Sequence, residues 1–148
     1  MSNRNRRIWI GIGLIGLMIA TLFFGFRQHT SSFDDAYITY RYARNIALGR
    51  GFVYNIGESV LGTTTPLYTL LLAALSLIWS DLPLLSHSIG VLAWMLCVPI
   101  IYGICKVGKR EAVGIVAAAF IALNTLFLNV LGMETTLYVL LALSTFSA

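Results

Sequence analysis

The chain has 148 residues, of which 58% are hydrophobic and only 11% charged. Its mean hydropathy is +0.83, and its charge is less than half that of an ordinary soluble domain. This composition argues against intrinsic disorder and a disulfide-stapled secreted domain. It also argues against a nucleic-acid module, because the ten basic residues are scattered between apolar blocks. What remains is an all-α, polytopic membrane protein.

Residues 8–26 carry no charge and follow Arg4, Arg6 and Arg7, which predicts a first span with a cytoplasmic N-terminus. Phe23, Phe24, Phe26 and Arg27 are a poor small-residue cleavage site, so the segment reads as an anchor, not a removed signal. Gly11, Gly13 and Gly16 lie inside this span and read as helix-packing positions.

An external loop follows, over about residues 27–83, and its part from 27 to 65 is the polar heart of the chain. Ser32 and Asp35 form a capping-box pattern that opens a helix over 33–48, and Gly49 with Gly51 stops it. Its wheel puts Ala36, Tyr40, Ala43 and Ala47 on one smooth face. Asp34, Arg41 and Asn45 fall on another, with Tyr37 and Arg44 beside them. Such a helix suits the membrane surface. Asn55, Gly57 and Glu58 then make a turn.

Thr65 and Pro66 open a second helix, as N-cap and first helical residue. Its apolar run, 66–79, is short for a span. Charge decides where it lies. A second span, about 84–105, ends in Lys106, Lys109 and Arg110. Keeping 66–79 on the outer face returns those bases to the side of Arg4, Arg6 and Arg7. Cys97 and Cys105 sit eight residues apart on that span, about 12 Å of rise, too far for a disulfide. A third span, 112–131, leads outward to a tight turn at Gly132, Met133 and Glu134. A fourth begins at 136 and stops at 148, roughly 20 Å of helix, which reads as the N-terminal piece of a longer protein.

Two polar segments therefore meet on the outer face, carrying Asp34, Asp35, Glu58 and Glu134. Asp34 and Asp35 are the sharpest feature. Acids in a first helical turn favour the dipole and cap its amides. At a membrane surface, burial against apolar groups also suits a carboxylate for proton transfer. Adjacent helix positions point about 100° apart, so one carboxylate can face a substrate while its neighbour orients a loop or a metal. Arg27, Arg41, Arg44 and Arg50 can offer guanidinium forks to a phosphate at headgroup level, or simply attract anionic lipid. No Gly-rich phosphate loop, no Ser-His-Asp arrangement and no His/Cys metal cluster is present.

The run DDAYITYRYARNIALGRGFVYNIGESVLGTTTPLYTLLLAAL, Asp34 to Leu75, resembles the first external loop of GT-C glycosyltransferases. Its closest look is to their bacterial arabinofuranosyl- and mannosyltransferase-like members. NTLFLNVLGMETTLYVLLAL, Asn124 to Leu143, resembles that group's second external loop. The resemblance implies a GT-C-like transmembrane module with two juxtamembrane helices in the first loop. It implies that Asp34, with Asp35 beside it, is the catalytic base, and that Glu134 helps shape the site. It also implies a polyprenyl-phosphate sugar as donor.

The reading is then an inverting transfer of that sugar to an acceptor hydroxyl on a glycan, lipid or protein, at the outer face of the cell membrane. Arg41, Arg44 and Tyr37 are the candidates for binding substrate. No cofactor is assigned, and a divalent metal stays open. The fragment alone is expected to be inactive. A transporter or channel subunit is the rival, but its coupling acids belong near the bilayer midplane, and no span here contains a carboxylate. A non-catalytic assembly subunit is the third reading.

Overall fold

The computed structural model describes residues 2–27, 34–58, 60 and 62–146. Among them the chain is all-helical: α1 (Asn3–Arg27), α2 (Asp34–Ala47), α3 (Pro66–Ser76), α4 (Leu82–Val107), α5 (Glu111–Leu123), α6 (Leu126–Asn129) and α7 (Thr135–Thr145). Three stretches are long and apolar enough to cross a membrane: α1, α4, and α5 with α6. Helices α1 and α4, of 25 and 26 residues, rise roughly 37 and 39 Å, more than the roughly 30 Å hydrocarbon core. Helix α3 has only 11 residues, about 16 Å. It cannot cross.

The outer surface of the bundle is apolar. Along α1, Ile8, Trp9, Ile12, Ile15, Ile19 and Phe23 are exposed, and only Thr21 and Gly25 are buried. Water would not tolerate so continuous an apolar face; lipid matches it. The chain is a membrane protein.

Side-chain contacts fix how the spans run. Near its start, α1 pairs Arg6 with Glu111. Near its end, the Gly25 carbonyl meets His87 Nε2 at 2.9 Å. Helix α1 therefore runs antiparallel to α4, and α4 and α5 form a hairpin. The bases Arg4, Arg6 and Arg7 share one end of the bundle with Lys106, Lys109 and Arg110. Helices α2 and α3 pack at the other end, through a core of Ala36, Tyr40, Ala43, Tyr68, Leu72 and Leu85. This is the arrangement that charge required if 66–79 does not span.

Several expectations need correction. Gly11, Gly13 and Gly16 pack against nothing within 4 Å. The close helix approaches are at Gly25, Gly90 and Gly114 instead. A Cβ on Gly25 would lie 2.8 Å from Val91 Cγ2, and one on Gly114 would lie 2.9 Å from Cys105 Cβ and 3.2 Å from the Tyr102 carbonyl. Glycine on a span permits an approach; only a facing partner makes one. Gly114→Ala is accordingly expected to destabilise the protein by about 1–3 kcal/mol through overpacking of the α4–α5 hairpin. Gly11→Ala should be neutral or slightly stabilising, since alanine is the better helix former. Thermal unfolding of both variants in detergent checks this, and equal shifts would remove the close contact.

The third span is not one helix. Helix α5 ends at Leu123, and Asn124 takes an extended backbone before the short α6. At the break the Ile121 carbonyl accepts the Asn124 N–H at 3.4 Å and the Trp94 indole N–H at 2.8 Å. Trp94 also stacks on Phe127 with centroids 5.8 Å apart. Helix α2 differs from its wheel as well. Tyr42 and Asn45 are buried, because Val53, Tyr54, Val60 and Gly62 bond to their side chains. The Asn45 amide donates to the carbonyls of Val53 (2.8 Å) and Tyr54 (3.0 Å), and the Gly62 N–H donates to the Tyr42 hydroxyl (2.8 Å).

Helix ends follow their stop signals. Gly49 adopts φ +70°, its N–H bonds the Ile46 carbonyl, and the Arg50 N–H bonds the Asn45 carbonyl, each at 2.9 Å. That is the left-handed glycine cap expected there. Asn55 and Glu58 close their turn, with the Glu58 N–H on the Asn55 carbonyl at 3.2 Å. Thr65 and Pro66 open α3 as expected, although the Thr65 side chain makes no capping bond. Helix α3 ends at Ser76, before the Trp79 at which its apolar run stops. Ser32 lies outside the described residues. Cys97 and Cys105 are both free thiols.

Candidate functional site

The first turn of α2 begins the site. Asp34 and Asp35 are both exposed there, and the angular step along the helix sends their carboxylates in different directions. Asp35 lines a cleft of about 230 Å³, shared with Thr63, Thr64, Thr65, Gly132 and Glu134. Asp34 does not line it. The cleft joins the two external segments that the sequence placed on one face, and its described lining contains no basic residue.

A buried hydrogen-bond chain holds the two loops together. The Gly132 carbonyl accepts from the Tyr40 hydroxyl at 2.7 Å and from the Ser86 hydroxyl at 2.6 Å. Ser86 has one proton and gives it to Gly132, which leaves Tyr68 as donor in the 2.6 Å contact between their hydroxyls. Burial pushes the Tyr68 phenol well above its ordinary range, against a smaller opposing effect of the Ser86 bond. It therefore stays protonated, as its donor role requires. Gly132 sits at φ +94°, a conformation glycine adopts without strain. One carbonyl thus ties α2 and α4 to the second loop, with α3 joined through Ser86.

The cleft wall opposite is a run of threonines. The Thr63 hydroxyl lies 3.4 Å from those of Thr65 and Thr69, and Thr69 donates to the Thr65 carbonyl at 2.9 Å. Glu134 occupies the N-cap position of α7 but makes no side-chain capping bond. It is one of the residues that line the cleft. Among the described residues, no three His, Cys, Asp or Glu side chains gather into a metal-holding group. Asp35 and Glu134 are the two carboxylate residues of the cleft's lining.

The other predicted binding residues lie elsewhere. Tyr37, Arg41 and Arg44 line a second, larger groove of about 850 Å³ on a different face of α2, with Arg50, Tyr54 and Asp81. The helical period explains the division: positions 35 and 39 share one face, and 37, 41 and 44 share another. Arg41 is held in place, donating Nε–H to the Tyr54 carbonyl (3.0 Å) and Nη2–H to Asn55 Oδ1 (3.2 Å). The structure therefore brings Asp35 and Glu134 together and separates both from Tyr37, Arg41 and Arg44.

Sequence reasoning did not assign Thr63, Thr64 and Tyr68 to the site, although the run TTTPLY was in view as a helix start. Ser86 gave no signal, because Ser86 and Ser88 at the start of an apolar span show no pattern. No family model matches the chain, and neither does any curated protein or solved structure.

Proposed function

We propose that the chain carries part of the site of a GT-C-like membrane glycosyltransferase, which moves a sugar from a polyprenyl-phosphate donor to an acceptor hydroxyl. The observation that supports this reading most is the cleft where Asp35 and Glu134 meet, at the end of the bundle away from both basic clusters. The resemblance of DDAYITYRYARN, GFVYN, TTTPLY and GMET to GT-C external loops supports it independently.

In the proposed reaction, a cleft carboxylate takes the proton of the acceptor hydroxyl as its oxygen attacks the anomeric carbon. The bond from that carbon to the phosphate oxygen breaks on the opposite face, so the configuration inverts and polyprenyl phosphate leaves. Asp35 is the better-placed base, because it lines the cleft and Asp34 does not. Glu134 holds the acceptor. The hydroxyls of Thr63, Thr64 and Thr65 are the neutral donors available to the departing phosphate; Arg41 and Arg44, on another face of α2, are not.

Full-length protein incubated with defined polyprenyl-phosphate sugars tests the reading. The expected product is a glycoside of inverted anomeric configuration. Retention of configuration, or no turnover with any donor of this class, would overturn it.

The orientation is proposed from charge, with the end holding Arg4, Arg7, Lys106 and Arg110 facing the cytoplasm and the cleft outside. Gly108→Cys, made with Cys97 and Cys105 replaced by alanine, should resist an impermeant thiol reagent in intact cells and label after lysis. Labelling in intact cells would reverse the orientation.

A further inference from the structure

We infer that the groove on the Arg44 face of α2 binds the anionic phosphate ester of a membrane lipid, at a site separate from the Asp35–Glu134 cleft. The inference does not depend on the transferase reading. It begins from an imbalance of charge: three guanidinium groups, those of Arg41, Arg44 and Arg50, line the groove against one carboxylate, Asp81. That carboxylate is already engaged, since Asp81 Oδ1 accepts the Leu84 N–H at 3.0 Å as the cap of α4. Arg41 is fixed on the loop, with its guanidinium 4.9 Å from the centroid of the Tyr54 ring. The guanidinium groups of Arg44 and Arg50 make no hydrogen bond or ion pair with any described residue.

The backbone brings these charges together. Arg41 and Arg44 are three positions apart on α2, where side chains are neighbours on the helix surface. The left-handed turn at Gly49 then reverses the chain, with the Arg50 N–H on the Asn45 carbonyl at 2.9 Å. Arginine forks suit phosphate oxygens, which they meet in pairs.

The lip of the groove sets its depth in the membrane. Leu77, Ile78 and Trp79 immediately precede the lining residues Ser80 and Asp81, and are 73%, 89% and 49% exposed. Such a turn belongs against lipid, and tryptophan favours the membrane–water boundary. Unpaired arginines beside it then sit at the level of lipid headgroups, where a phosphate arrives attached to its own apolar anchor. A soluble anion would gain nothing from the Leu77, Ile78 and Trp79 lip.

The test uses the full-length chain in detergent micelles doped with equal phosphatidylglycerol and phosphatidylcholine, with retained lipid read by native mass spectrometry. Wild-type protein should retain phosphatidylglycerol preferentially. Each interfacial arginine contributes about fivefold to such binding, so Arg44→Gln with Arg50→Gln should reduce the preference about 25-fold. Arg44→Lys with Arg50→Lys should keep part of it. Arg4→Gln with Arg7→Gln, at the opposite end of the bundle, should leave it unchanged. Thermal unfolding of each variant separates lost binding from lost folding.

A parallel arm replaces phosphatidylglycerol with dodecaprenyl phosphate. Retention in either arm that falls in the Arg44/Arg50 glutamine variant supports the site, and the arm with the higher retention identifies the lipid source. Equal retention of phosphatidylglycerol and phosphatidylcholine together with no arginine-dependent retention of dodecaprenyl phosphate overturns the proposal. So does an equal loss in the Arg4/Arg7 variant. Displacement of bound lipid by inorganic phosphate at millimolar concentration would make this a site for a free anion and overturn it as a lipid site.

Discussion

Under the proposed transferase reading, Asp35→Asn is expected to lower turnover by at least about 100-fold, the lower limit of what general-base catalysis contributes. Asparagine keeps the shape of the side chain and its hydrogen-bonding reach, but it cannot take up the acceptor proton. The neighbouring Asp34→Asn should cost less than about threefold, because Asp34 shares the helix terminus but not the cleft. This pairing separates the two roles an acid can have at that place. If the acids only favoured the helix dipole, both variants would behave alike, with small effects on stability and none on the chemical step. Expression and insertion must be normal in both for the comparison to stand. A silent Asp35→Asn with a crippled Asp34→Asn would return the base to the residue that the resemblance pointed to.

Glu134→Gln is the second large effect, an expected loss of tenfold or more in kcat/KM with the protein still folded. Its position at the start of α7 suggests a capping role, but its side chain makes no capping bond, so little stability rests on it. A dipole contribution of up to about 1 kcal/mol changes stability, not the reaction barrier. Glu134 lines the same cleft as Asp35, where an acceptor hydroxyl needs a partner that fixes its approach. If the loss falls mainly on KM, Glu134 binds the acceptor in the ground state; if on kcat, it acts in the transition state. Kinetics within threefold of wild type would remove it from the site and leave the first loop to account for the chemistry.

Much of the architecture was legible from single residues. The apolar runs gave α1 and α4, and the break between Trp79 and the second span appears as the cap at Asp81. Pro66 began α3, and Gly49 ended α2. The charge clusters required α3 to stay on one side, and the Arg6–Glu111 pair agrees by joining the ends they mark. The misplaced features share one cause. Gly11, Gly13 and Gly16 were suitable for packing but had no neighbour, while Asn45 looked polar and outward until the carbonyls of Val53 and Tyr54 took its amide. The high mean hydropathy of residues 112–131 outweighed Asn124 and Thr125 and hid the stop there, because hydropathy records what lipid accepts and not where a backbone bends.

By itself, the sequence determined that the chain is helical and membrane-bound, which segments are long enough to cross, and that four of its six acids, Asp34, Asp35, Glu58 and Glu134, lie in two polar segments placed on one face. Those properties depend on composition, local propensity and the sum of charges, all of which act over a few neighbouring residues. Tertiary structure alone decided which polar residues share a cleft. Asp34 and Asp35 are adjacent in sequence, yet only one lines the cleft with Glu134, about a hundred positions away. Arg41 and Arg44 follow about two to three turns later on the same helix and line a different groove. The physical reason is the hydrogen-bond chain through Gly132, in which Tyr40 and Ser86 converge on one carbonyl. It fixes the rotation of α2 against the second loop, and that rotation selects the side chains that meet.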